Sequence, residues 1–66
     1  MKLTVRESMI LSLLAQDLSV KQIAYHINRS IHTVTAQVKS AKLKLHCYTD
    51  HGAVAKYLKQ HASDIN

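Results

Sequence analysis

Apolar residues recur along the whole chain at helical rather than strand spacing. Ile10, Leu11, Leu14, Ala15 and Leu18 fall on one side of a 3.6-residue turn, with Met9 and Leu13 widening the stripe. Val20, Ile23, Ala24 and Ile27 repeat the pattern over about two turns. Ile31, Val34, Val38, Ala41 and Leu45 follow at steps of three, four, three and four, a single seam along one helix. Val54, Tyr57, Leu58 and His61 line one side of a last segment. The pattern predicts an all-α fold with helices over about 4–17, 19–27, 30–45 and 50–61.

Polar punctuation agrees with these bounds. Thr4-Val5-Arg6-Glu7 and Ser19-Val20-Lys21-Gln22 are capping boxes, in which the hydroxyl takes a free amide and the N3 side chain reaches back to the cap. Ser30 is a third N-cap, and Thr49 or Asp50 a fourth. Asp17 is a natural stop, because Asp tolerates the left-handed turn better than most residues with a Cβ. Asn28-Arg29 and His46-Cys47 break the pattern after the second and third helices. The tail from Ala62 to Asn66 is expected to fray.

Composition favours helix: there is no proline and one glycine, Gly52. With no tryptophan or phenylalanine, the core must be aliphatic. A chain of 66 residues buries only about 60% of its unfolded surface. It therefore needs a compact local topology or a partner subunit. A single domain over 1–66 is expected. The lone cysteine, Cys47, excludes an intrachain disulfide and fits a reducing compartment. No apolar run approaches the roughly 20 residues that span a bilayer, and Met1 to Glu7 lacks a signal-peptide core. A soluble cytoplasmic protein, associated with the nucleoid and with no membrane partner, is expected.

Charge gives the first functional pointer. The net charge is +5 with histidine neutral. Lys21, Arg29, Lys39, Lys42 and Lys44 lie in a span without an acid, while Glu7, Asp17, Asp50 and Asp64 fall outside it. A one-sign block in a folded domain is a footprint for a polyanion. The second and third helices are separated only by Asn28 to Ser30, and the later one is longer and basic on its polar side. That is a helix-turn-helix layout, in which the second helix enters the major groove of DNA. The groove is about 12 Å wide and admits one helix. Small side chains at Thr33, Thr35 and Ala36 let the backbone approach base edges. Lys39, Lys42 and Lys44 reach phosphates, helped by amides at the helix starts.

The stretch Leu3-Thr4-Val5-Arg6-Glu7, then Ile10-Leu11 and Leu13-Leu14-Ala15-Gln16, resembles the start of LuxR/FixJ/GerE-type DNA-binding domains. The likeness continues through Leu18-Ser19, Lys21, Ile23-Ala24, Ser30, Thr33-Val34 and Lys44-Leu45, covering roughly residues 3 to 58. Asn28 to Ile31, Thr33, Gln37, Lys39 to Ala41 and Lys44-Leu45 look closest to the Rcs-type regulators of capsule and surface structures. The resemblance implies a four-helix domain without a wing that binds double-stranded DNA as a dimer. It implies DNA contacts from Lys21, Ser30, His32, Thr33, Thr35, Ala36, Gln37 and Lys39, with Lys44 as a further contact. It also implies dimerisation through helix four, or through helices one and four. The chain departs from the family pattern at five positions: Asp17 and His46 replace glycines, Val20 an asparagine, Thr35 a lysine and Gln37 a histidine. The last two remove charge from the family's commonest contacts while keeping the fold.

Val54, Tyr57 and Leu58 fit either closure of the core or contact with a second copy. Among other chemistries, Cys47 and His51 are four apart and His46 is adjacent, yet paired ligand spacings are missing, so no metal is expected. A nucleophilic Cys47 would need a positioned base and a concave pocket, so no catalytic residue is assigned. No cofactor and no small-molecule ligand is expected. The leading reading is a sequence-specific transcription regulator, a homodimer or a heterodimer with a related regulator. The alternative is a protein-interaction module that pairs with a larger regulator and modulates it.

Overall fold

The computed structural model of the protein describes residues 2–65, with side chains placed through Gln60. Among the described residues there are four α-helices and no strand: α1 Val5–Ala15, α2 Val20–His26, α3 Ile31–Lys44 and α4 Asp50–Ile65. Helix α4 continues past the expected end near residue 61, through most of the tail expected to fray. The side chain of His61 lies outside the described residues.

Each helix begins on the hydroxyl that the sequence offers. Thr4 Oγ1 accepts from the Glu7 amide at 3.0 Å, and Glu7 Oε1 accepts from the Thr4 amide at 2.8 Å. Ser19 and Gln22 close the same reciprocal pair at 3.1 and 2.8 Å. Ser30 Oγ accepts from the Thr33 amide at 3.1 Å. At α4 the cap is Thr49, which accepts from the Gly52 amide at 3.0 Å, and Asp50 is the first helical residue.

The first three helices end alike. Asp17, Asn28 and His46 adopt left-handed backbone, with φ of 69°, 58° and 57°. The next amide reaches back five residues in each case: Leu18 to the Leu13 carbonyl, Arg29 to Ala24 and Cys47 to Lys42, at 3.3, 2.9 and 2.8 Å. These are Schellman ends built without glycine. They turn the chain within four or five residues, which lets neighbouring helices share the core.

That core has two lobes. Ile10, Ile23, Ala24, Val34 and Val38 join α1, α2 and α3, with Leu13, Leu14, Leu18, Val20 and Ile27 at the margin. Leu11, Ala41, Leu45 and Ala53 join α1, α3 and α4, with Leu3, Cys47, Val54 and Tyr57 at the margin. Leu14 touches both lobes. Burying each large aliphatic side chain stabilises the fold by about 1.5–3 kcal/mol. Three apolar positions depart from the expected stripes. Ala15 and Ile31 are exposed, because Ile31, in the first turn of α3, lies outside either lobe, and Ala15 ends α1. Ala53, in contrast, is completely buried where α4 meets α1 and α3.

Candidate nucleic-acid interface

Helix α3, like α1, is held by both lobes of the core. Val34 and Val38 anchor its first half and Ala41 and Leu45 its second, so one side is fixed along its length. The other side is free of protein. His32, Thr33, Thr35, Ala36 and Lys39 are exposed there, and Ser30 is exposed at its cap. Lys21 is exposed on the first turn of α2. Lys21 and Lys39 have no ion-pair partner among the described residues.

Two of the expected contact residues are placed differently. Lys44 is turned away from solvent, with 17% of its side chain exposed and Nζ 2.8 Å from Glu7 Oε1. A buried carboxylate thus holds the lysine expected as a further DNA contact. Gln37 is half-buried at the edge of the core seam, and its Oε1 is buried without a hydrogen-bond partner. That oxygen is on the protein side of the helix, away from a ligand on the exposed face. Lys42 is engaged too, with Nζ 3.0 Å from Asp50 Oδ1, linking the end of α3 to the start of α4.

Among the described residues, Glu7 is the buried charge, 4% exposed. Burial raises its pKa. The Lys44 ammonium, the Thr4 amide and the Ser40 hydroxyl outweigh that cost and lower it to about 2. The sequence marked Glu7 as a cap and gave no sign of Lys44 as its partner. A second lysine contact was equally hidden: Lys56 Nζ donates to the Leu45 carbonyl at 2.8 Å, and Cys47 Sγ contacts the same oxygen at 3.4 Å. A cation at the C-terminus of α3 complements the helix dipole.

The three residues expected at a partner surface separate. Val54 and Tyr57 are half-buried against the second lobe, while Leu58 is 48% exposed. Tyr25, Leu43 and Tyr48 are also exposed, at 79%, 68% and 98%. Leu18, Lys21, Gln22, Tyr25 and His26 border an open depression of about 560 Å³ beside α2. Among the described residues, no group of three His, Cys, Asp or Glu side chains is arranged to hold a metal ion. No helix is long and apolar enough to cross a membrane among those residues.

A family model described as GerE, bacterial regulatory proteins of the luxR family, matches residues 1–56. Comparison with curated proteins and with solved structures gives no match.

Proposed function

Since the chain belongs to the luxR family of bacterial regulatory proteins, a family of DNA-binding transcription regulators, we propose that it reads specific promoter sequences by lodging α3 in the major groove. The observation that carries this reading is the two-sided character of α3. Val34, Val38 and Ala41 are buried, while His32, Thr35, Ala36 and Lys39 are exposed, and Lys39 and Lys21 have no ion-pair partner among the described residues. The positive charge supplies salt-dependent affinity, and the exposed face of α3 supplies base contact. The amides of Ile31 and His32, in the first turn of the helix, lack carbonyl partners within it, which suits a backbone phosphate.

In this reading two copies meet through α4, with Leu58 at the centre and Val54 and Tyr57 beside it, and the target carries two half-sites. The copies act in the bacterial cytoplasm on nucleoid DNA. The run Asn28 to Ile31, with Lys39 to Ala41 and Lys44-Leu45, favours the Rcs-type subgroup. The test is selection of bound duplexes from a random pool, followed by mobility shifts at two salt concentrations with competitor. A recovered motif and salt-weakened binding are expected. Amide signals of α3 that stay fixed when the recovered duplexes are added would overturn the reading.

A further inference from the structure

Few side chains on α3 remain available for hydrogen bonds to purine edges. Arginine and lysine pair with guanine, and asparagine and glutamine with adenine, through two bonds at once. Helix α3 contains no arginine or asparagine. Its one glutamine, Gln37, has its carbonyl oxygen buried on the protein side. The Thr33 hydroxyl is 2.9 Å from Ser30 Oγ, which also accepts from the Thr33 amide, so these two hydroxyls serve the cap. Lys42 and Lys44 are held by Asp50 and Glu7. In the middle of the exposed face stand Thr35 and Ala36, with His32 one turn before them at the start of the helix and Lys39 one turn on. Ala36 offers only a methyl group, and Thr35 a methyl beside its hydroxyl.

Of the features that bases present in the major groove, the thymine C5-methyl is the one recognised by apolar contact. We infer that Thr35 and Ala36 are specificity-determining residues that read thymine methyl groups, so the preferred half-site carries thymine opposite the middle of α3. This rests on the placement of α3 in the groove proposed above. Discrimination then comes from methyl contact, with Lys39 adding phosphate affinity that is indifferent to sequence.

Deoxyuridine tests this directly, since it pairs as thymine does, keeps the O4 acceptor and lacks only the methyl. Each thymine of the selected duplex is replaced singly. Binding is expected to weaken about fourfold at one or two thymines per half-site and to hold elsewhere. Thr35→Ser keeps the hydroxyl and removes the methyl, and Ala36→Gly removes the other methyl. In each folded variant, the difference between thymine and deoxyuridine at one position is expected to disappear. A duplex with every thymine replaced and bound as tightly as the original overturns the inference while leaving DNA recognition by α3 intact. A full thymine preference retained in both variants overturns the assignment to these residues. Failure to prefer any duplex over competitor overturns both this and the function it rests on.

Discussion

The Lys44 ammonium lies 2.8 Å from the Glu7 carboxylate, 37 residues away in the chain, and joins the last turn of α3 to the first turn of α1. The same oxygen, Glu7 Oε1, also accepts from the Thr4 amide. One carboxylate therefore starts α1 and fixes α3 beside it. Lys44→Met leaves that carboxylate buried with its main counter-charge gone. Removing one partner of a buried pair costs about 3–5 kcal/mol, a large share of the stability of a small domain. Lys44→Met is expected to lower the urea midpoint steeply, and Glu7→Gln combined with Lys44→Met to recover part of the loss. Equal midpoints for Lys44→Met and wild type would mean that the pair contributes nothing.

Acid should release the same ion pair. The Glu7 pKa falls from 4.5 to about 2 in the folded protein. A depressed carboxyl stabilises the fold fully above its unfolded pKa and contributes nothing below its folded one. Stability is therefore expected to hold from neutral pH down to about pH 5, then to fall as pH drops towards 2. The total loss from this group is about 3 kcal/mol. Urea melts at stepped pH measure it, and Glu7→Gln should flatten the slope in that window. An unchanged acid slope in Glu7→Gln would place the loss on other carboxylates.

Lysines of one sequence block should differ in their effect on DNA binding. Lys21 and Lys39 have no ion-pair partner among the described residues, whereas Lys42 is held at 3.0 Å by Asp50. Removing one lysine from a phosphate reduces the slope of log K against log salt by about 0.9. Lys21→Ala and Lys39→Ala are each expected to flatten the slope by about one per bound copy, with little change in preferred sequence. Lys42→Ala is expected to leave the slope nearly as it was. Titrations at four or more salt concentrations check this. Identical slopes for Lys39→Ala and wild type would remove Lys39 from the phosphate-binding residues.

The same contrast marks what could be read from the chain and what could not. Helix caps are local: Thr4, Ser19 and Ser30 stand next to the runs they start, so sequence spacing locates them. The buried seam Val34, Val38, Ala41 and Leu45 is equally local, since 3.6-residue periodicity puts those residues on one side. Pairings across the chain leave no such trace. Glu7 looks complete as a cap, and Lys44 looks like one more basic residue on a basic helix. Gln37 presents a similar difficulty: its position, one turn before Ala41 and beside Val38, makes it a boundary residue whose orientation depends on packing. Ile31 belongs to the seam by spacing and is exposed because the core ends before it reaches the first turn of α3.

Helix ends give a stability prediction of opposite sign. His46 holds a left-handed backbone, φ 57°, for which a side chain with Cβ is strained by about 1–2 kcal/mol. Glycine relieves that strain and returns some of the gain as unfolded-chain entropy. His46→Gly is expected to stabilise the domain by about 1 kcal/mol, raising Tm by about 4–8 °C. Asp17→Gly is expected to give a smaller gain, because aspartate tolerates this conformation better. Calorimetry or a thermal melt by circular dichroism decides it. A lower Tm for His46→Gly would mean that the imidazole makes a compensating interaction at the end of α3.

On the pairing surface proposed for α4, Leu58 is the residue whose substitution tests self-association apart from folding. It is 48% exposed, while Val54 and Tyr57, on the same helix, pack on the core. A charge at Leu58 therefore meets water in the isolated chain and is desolvated only if a second copy covers it. Leu58→Glu is expected to leave the thermal melt within about 0.5 kcal/mol of wild type, the usual range for surface substitutions. It is expected to shift sedimentation equilibrium from dimer to monomer. Tyr57→Ala, in contrast, opens the second lobe and should lower stability as well as association. A Leu58→Glu protein that still sediments as a dimer places the pairing surface elsewhere. Binding to a two-half-site duplex would then persist undiminished. If instead the variant is monomeric and affinity drops to that of a single half-site, the α4 surface carries the pairing that a symmetric target requires.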